Sequence, residues 1–372
     1  MKLDPLSLPE LLNARLPARS RAELTPVYRD LAPLFVERDD IASALSAASD
    51  EVQASDETDL VAQRALSGEP LVANVLPRER KGCRRYAWWV EDYSGQLLPA
   101  SKKAAALQPE AVQLQNIANE LRWAIRPEPG HLCIDLDVTA CHLSIAAAVS
   151  GDPRLQADLQ HDVHQVVGDL FVPEIKNART RRELGKAVNN PILNGVSPEG
   201  LCDDLMKHGW QNVELEWVDW LMEAWWARYP GLGAWLDELD SGLADRALHG
   251  LPLTIEAPDG HTFRFSPAEV AGFKRGEWRG AKSGQRSIDS SLWRAVEGAC
   301  LDHALVLMQG LRQSHGLRLA LPMFDGMLMV APEETAKVTK GRAEELLVQA
   351  FADAGVVVQV KGAVRARWGE QA

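Results

Sequence analysis

Leu132-Cys133-Ile134-Asp135-Leu136-Asp137 alternates apolar and polar residues. The period of two predicts a β-strand with Asp135 and Asp137 on one face. A helix is expected directly after it, from His142 to Val149. Far along the chain, Leu317-Arg318-Leu319-Ala320-Leu321-Pro322-Met323-Phe324 runs into Asp325-Gly326 and then Met327-Leu328-Met329-Val330. That pattern reads as a β-hairpin with an acid at its bend. Asp137 and Asp325 are therefore both expected as strand-borne carboxylates, aimed at shared metal ions.

Between these acids the chain reads as mainly helical from residue 154 to 250, with stops at Gly209 and at Tyr229-Pro230-Gly231. Arg182 and Lys186 stand four residues apart inside one of those helices. This spacing puts two cations on one face, reaching toward a triphosphate. Strand and turn return over residues 251–265, with Pro258-Asp259-Gly260 as a hairpin signal. An apolar-periodic helix over 290–310, a helix from Glu333 to Ala354 and a strand from Val356 to Val360 are expected to close the chain. Upstream, residues 1–70 read as short helices broken by proline and acids, and Arg84-Arg85-Tyr86-Ala87-Trp88-Trp89-Val90 carries the aromatic and branched residues of a strand.

Composition places the chain among soluble globular proteins. Its 372 residues with 46% apolar content are enough for a large core. No signal sequence or membrane-spanning run is read, so a cytoplasmic location without membrane contact is expected. The five cysteines are scattered and never spaced Cys-x-x-Cys, which supports neither a disulfide framework nor a zinc site. A net charge of -12 speaks against indiscriminate binding of polyanions. Any basic footprint must be local. Three segments supply one, each with five cations and one acid: residues 78–85, 176–186 and 274–286. The stretch from Glu37 to Asp59 is the opposite, with eight acids and one base, and leaves room for an auxiliary protein partner.

In the order of its motifs, the chain from Ser94 onward resembles the polymerase region of family A DNA polymerases, the bacterial polymerase I type. Ser94-Gly95-Gln96-Leu97 and Val112-Gln113-Leu114-Gln115-Asn116-Ile117 are similar to that family's Thr-Gly-Arg-Leu and Asn-Leu-Gln-Asn-Ile-Pro elements. The run from Asp137 to Ser150-Gly151-Asp152 matches its first catalytic motif without gaps. Arg182, Lys186 and Asn194-Gly195 fit the spacing of its fingers helix. Arg228-Tyr229-Pro230-Gly231, Glu297-Gly298, Phe324-Asp325-Gly326 and Trp368-Gly369-Glu370 follow in order.

The resemblance implies an α+β right-hand polymerase fold with an antiparallel palm sheet, helical fingers and a reduced N-terminal thumb, and no exonuclease domain. The expected division is 1–85 for a helical N-terminal lobe, 86–153 for the first part of the palm, 154–250 for the fingers and 251–372 for the second part of the palm. It also implies template-directed nucleotidyl transfer, by a DNA polymerase or primase-polymerase, with template and primer strands and nucleoside triphosphates as partners.

Asp137 and Asp325 are the expected catalytic ligands of two Mg²⁺ ions, with Mn²⁺ as a substitute. Two such ions about 4 Å apart activate a 3′-oxygen and stabilise the departing pyrophosphate. Lys186 shares the catalytic role and joins Arg182, Asn190, Asn194 and His142 in binding the nucleotide. Gln115, Asn116, Arg84 and Arg85 are assigned to the nucleic-acid strands. The family alignment selects Asp137 over Asp135.

Departures from the family pattern are concentrated at the same positions. Asn190 and Asn194 stand where the family has aromatic residues, and Pro191 predicts a kinked or shortened helix at Asn190. Gly326 replaces an acid. His142 stands where a glutamate blocks the ribose 2′-hydroxyl, which predicts relaxed sugar discrimination. These departures keep a second reading open, a catalytically inactive polymerase-like nucleic-acid-binding or scaffold protein. His161 and His164 are read as surface or packing residues rather than metal ligands. Trp217, Trp220, Trp225, Trp226 and Trp235 are read as core.

Overall fold

The structure, a computed structural model, describes all residues except 1–5, 19–23, 25, 28–29, 50–60, 63–64, 67–70, 72–73, 81–82, 92–96, 100–116, 173–174, 212, 273–287, 324 and 370–372. For residues 74–80, 83–91, 97–99, 119, 269, 271–272 and 288–290 it describes the backbone alone.

Twelve strands occur among the described residues: Leu6–Ser7 (β1), Leu34–Val36 (β2), Asn74–Arg80 (β3), Cys83–Glu91 (β4), Leu97–Pro99 (β5) and Ile125–Pro127 (β6) in the first third. His131–Thr139 (β7), Leu253–Glu256 (β8), Thr262–Phe265 (β9), Arg318–Pro322 (β10), Gly326–Pro332 (β11) and Gln359–Arg365 (β12) complete the set. The central sheet has the order β10-β11-β7-β12 and is antiparallel throughout. Smaller sheets join β1 to the β8–β9 hairpin, β2 to β6, and β3 to β4 and β5.

The helices that position the site are Cys141–Ser150 (α1), Pro153–Asp158 (α2), Val163–Phe171 (α3), Ala178–Leu193 (α4), Leu215–Arg228 (α5), Pro230–Leu248 (α6), Ile288–Leu307 (α7) and Glu333–Asp353 (α8). Along α8 the buried residues Ala336, Thr339, Ala343, Leu347 and Ala350 recur every three or four positions, so one face is apolar. That face lies on the sheet's back. A Cβ added at Gly362 would meet Lys340 and Glu344 of α8 together with Leu136. Gly362 pairs with Leu136, so the even-numbered residues of β7 point toward α8. Asp135 and Asp137, one step out of phase, occupy the front.

The hairpin with Asp325 at its bend forms as the sequence predicts, and the helix expected from Glu333 ends at Asp353. Three expectations are corrected. The last strand is Gln359–Arg365 rather than Val356–Val360, later and longer. Residues 1–70 are not wholly helical: Leu6–Ser7 pairs in parallel with Ile255–Glu256, and β2 pairs with β6. Helix α4 is not shortened at Asn190. It runs through Pro191 to Leu193, where Asn194 N donates to Asn190 O and Ile192 O. The proline sits in the last turn, where its lost N–H removes one bond but no following helix is left to break.

Candidate active site

Strand register brings the two predicted acids together. Gly326 pairs with Asp137, and Val138 N donates to the Asp325 carbonyl at 2.9 Å. The acids are 188 positions apart in sequence, yet a single backbone hydrogen bond links the strand that follows Asp137 to Asp325. Burial raises the Asp325 pKa to about 7, with the neighbouring charges of Asp137 and then Glu297 adding to the shift, against a backbone hydrogen bond and His142. Asp137, the more exposed of the two, is also raised, through desolvation first and then Asp135, while Lys186 and Lys361 pull it down. Asp135 lies within the fields of Arg365 and Arg122.

The glycine after Asp325 has a packing reason. A Cβ at Gly326 would drive deep into the carbonyl oxygen of Leu136, so the strands as they lie admit no acid there. On the other side of Asp137, the chain turns from β7 into α1 through Ala140, which holds a left-handed φ of 50°. This conformation costs a non-glycine residue about 1–2 kcal/mol. The turn lets a helix start immediately beyond the carboxylate. From that helix His142 Nε2 lies 2.7 Å from Glu297 Oε2 of α7.

Helix α4 supplies the cations. Lys186 is exposed and within electrostatic reach of Asp137. Arg182 instead donates Nε to Asp162 Oδ2 at 2.5 Å. Asp162 also caps α3, its other oxygen accepting from His164 N and Gln165 N. Asn190 is exposed on the stripe of Arg182 and Lys186, and Asn194 Nδ2 donates to the Asn190 carbonyl at 2.7 Å. Arg84 lies on β4 opposite Glu79, and Arg85 opposite Arg78; only their backbones are described. Gln115, Asn116, Phe324 and the segment 274–286 lie outside the described residues.

Several residues that sequence reasoning missed hold α4 in place. Asn189 is fully buried; its Oδ1 accepts from Trp225 Nε1 at 2.7 Å and its Nδ2 lies 3.0 Å from His164 Nδ1. With the amide oxygen taken by the indole, Asn189 offers a donor, so His164 Nδ1 is the acceptor and its ring is neutral. Burial agrees, pushing the His164 pKa down to about 4, with Arg182, Lys186 and Lys361 adding to the shift against Asp162. Glycines make the α3–α4 contact close: a Cβ at Gly185 would enter the His164 carbonyl, and one at Gly168 the Arg181 carbonyl. The nearest sequence signal was the pairing of small residues on predicted helices.

Asp152 and the Arg228-Tyr229 pair of the sequence motifs are structural. Asp152, nearly fully buried, caps α2 through Arg154 N and Leu155 N and accepts from Leu232 N of α6. Asp158 receives a two-pronged contact from Arg228, at 2.7 and 2.9 Å, and the Tyr229 hydroxyl at 3.0 Å. The Arg228-Tyr229-Pro230-Gly231 element therefore joins the α5–α6 junction to α2. Trp225 is core as expected and Trp217, Trp226 and Trp235 are partly buried against it, but Trp220 is half-exposed, edge-on to Phe171. Cys133, Cys141, Cys202 and Cys300 are buried and not joined in disulfides. Burial pushes Cys141 and Cys300 up and keeps them protonated.

Among the described residues no group of three or more His, Cys, Asp or Glu side chains is arranged to hold a metal ion. The donor set at the meeting of β7 and β11 is two carboxylates. Mg²⁺ typically takes one or two, with phosphate oxygens and water completing its octahedron. The residues present fit that ion when a phosphate substrate supplies the rest.

No family model matches the chain. A stretch of 121 residues is 31% identical to DNA polymerase I of Caldicellulosiruptor bescii, covering 32% of this chain and 14% of that protein. A stretch of 161 residues is 22% identical to DNA polymerase I of Aquifex aeolicus, covering 41% of this chain and 28% of that one. Part of the chain is thus similar to DNA polymerase I, at low identity. The chain spans less than a third of the length of these relatives. Its α+β fold is similar to the POL domain of Pol1 from M. smegmatis, solved in complex with DNA primer-template and dNTP, with a TM-score of 0.55 over 97% of this chain and 69% of that one at 15% identity. No helix among the described residues is long and apolar enough to cross a membrane.

Proposed function

We propose that the chain is a template-directed nucleotidyltransferase of the polymerase I type, extending a 3′-hydroxyl with nucleotides on a nucleic-acid template. The observation that carries this reading is the meeting of Asp137 and Asp325 across β7 and β11, with Lys186 of α4 in electrostatic reach. In this reading the central sheet is the palm, residues 154–250 are the fingers, and the N-terminal residues form a reduced thumb.

In the reaction, a primer 3′-oxygen attacks the α-phosphorus of a nucleoside triphosphate and pyrophosphate leaves. Two divalent ions, when bound, lower the pKa of the attacking hydroxyl and neutralise the leaving group. Asp137, on β7, and Asp325, at the bend that leads into β11, would hold those ions. Their closeness favours it, since a cation there would offset the burial that raises Asp325 and the repulsion from Asp137 that adds to it. Lys186 binds the triphosphate and offers a proton toward the departing oxygens. Arg182, fixed by Asp162, sets the orientation of the same helix face. Asn190 and Asn194 provide hydrogen-bonding edges rather than stacking area beside the new base pair. Arg84, Arg85, Gln115 and Asn116 are assigned to template and primer.

His142 touches the sugar in this scheme. Tied to Glu297 at 2.7 Å, it presents an imidazole edge in place of a free carboxylate, and relaxed discrimination between deoxy- and ribonucleotides is expected. The deciding experiment is labelled-nucleotide incorporation with Mg²⁺ or Mn²⁺ on primed and unprimed single strands, using both sugar types. Incorporation lost in Asp325→Ala supports the proposal. Binding of template without incorporation under every condition would establish the scaffold reading instead.

A further inference from the structure

Strand β12 presents a cation that neither the motifs nor the predicted basic segments include. Lys361 pairs directly with Asp137, and directly paired residues in antiparallel strands carry their Cβ atoms about 5 Å apart on the same face. The neighbouring Gly362 faces α8 at the sheet's back, so Lys361 is on the front with the carboxylates. It is exposed, as is Lys186. The two ammonium groups act on the same pair of side chains, Asp137 in the sheet and His164 in α3. They therefore reach the same two groups, Lys361 from the sheet and Lys186 from the helix. Arg182, which the helix spacing marks as the partner of Lys186, is engaged by Asp162. Among the described residues no such ion pair engages Lys186 or Lys361.

Resting on the polymerase reading above, we infer that Lys361 is a binding residue for the triphosphate of the incoming nucleotide, gripping it from the sheet while Lys186 grips it from the helix. A polyphosphate is the ligand class that fits. It carries several negative charges along a chain long enough to reach both ammonium groups, and its anionic oxygens suit two lysines that no ion pair engages among the described residues. The sheet-side cation takes over part of the work that Arg182, held by Asp162, is not free to do.

The test compares Lys361→Met, Lys361→Arg and Lys186→Met with the intact chain in two measurements. One is the KM and kcat for the nucleotide in primer extension. The other is calorimetric binding of inorganic tripolyphosphate, without primer and in EDTA. Lys361→Met is expected to raise the nucleotide KM about tenfold with kcat little changed, and to weaken tripolyphosphate binding by a similar factor. Lys361→Arg should restore most of both. An unchanged KM and tripolyphosphate affinity, with only the Mg²⁺ requirement altered, would overturn the inference and leave Lys361 as a counter-charge to Asp137. Failure of the intact chain to incorporate any nucleotide would sink the polymerase reading alone. The tripolyphosphate comparison then decides the binding site by itself: weaker binding in Lys361→Met upholds it, and no binding by the intact chain overturns it.

Discussion

The carboxylate-bearing sheet and the cation-bearing helix lie within electrostatic reach of each other but are held by different forces. Asp137 and Asp325 owe their meeting to backbone pairing between β7 and β11, where register alone dictates which residues are opposite. Helix α4 owes its placement to side chains: Asn189 between Trp225 and His164, Asp162 on Arg182, and two glycines that let it touch α3. A sheet tolerates changes in side chains that a helix held by a hydrogen-bonded network does not.

The comparison breaks most visibly in activity. Asp325→Ala or Asp137→Ala should reduce nucleotide incorporation by about 10³-fold or more, with unfolding midpoints no lower than the parent at neutral pH, because the backbone bond from Val138 N to Asp325 O survives the change. A loss of activity that came only with unfolding would mean that the acids are structural.

Next in size is Gly326→Glu, which restores the acid of the family pattern. The close approach to Leu136 predicts a loss of about 3 kcal/mol in denaturant unfolding rather than a gain in activity. If the variant folds normally and works faster, then the sheet is more adaptable than its register implies.

On the helix side, Asn189→Ala strands a buried indole N–H and the His164 acceptor, and about 2–3 kcal/mol of stability should go with them. Nucleotide affinity should fall as well, since Lys186 rides on the same helix. An unaffected nucleotide KM would show that α4 is positioned by its apolar contacts alone.

The pH dependence of stability sharpens the contrast further. The folded Asp325 carboxyl, at about 7, keeps a proton that the unfolded chain has released by then. This contribution to stability is complete below the ordinary carboxylate pKa and is lost as pH rises through 7. In EDTA, Asp325→Asn should therefore exceed the parent by about 1–3 kcal/mol at pH 8, with the gap closing toward pH 4. His164 runs the other way. Its depressed pKa of about 4 gives stability that is present above 6.5 and declines as pH falls toward 4.

The smallest effect is expected from Asp162→Asn. The cap on α3 is retained, because an amide oxygen accepts from His164 N and Gln165 N as a carboxylate does. The partly exposed pair with Arg182 is lost, with a change in stability under about 1 kcal/mol. Arg182 is freed, and a few-fold fall in nucleotide KM would measure how far Asp162 holds it back.

Much of the sheet was legible in the sequence because strand side chains alternate with a strict period. Asp135, Asp137 and the Asp325 bend could be read from a dozen residues each. Reading the last strand as ending at Val360 hid Lys361, one residue beyond, and with it the cation opposite Asp137. On the helix the spacing of Arg182 and Lys186 was visible, but their partners were not. Asp162 lies 20 residues upstream of Arg182, and Glu297 lies 155 residues from His142. Such partners are chosen by how helices pack, which no local pattern records.

By itself, the sequence determined most of the elements and the chemical inventory of this protein: two acids at or beside strand positions, two cations one helical turn apart, and two asparagines with a proline between them. Those are properties of the chain over a few residues, governed by periodicity and backbone stereochemistry. Only the tertiary structure decided which charges meet. It set Gly326 against Leu136, drew Arg182 to Asp162 and brought Lys361 beside Asp137. Electrostatic and steric energies depend on distances in space, and those distances exist only once sheet and helices have packed.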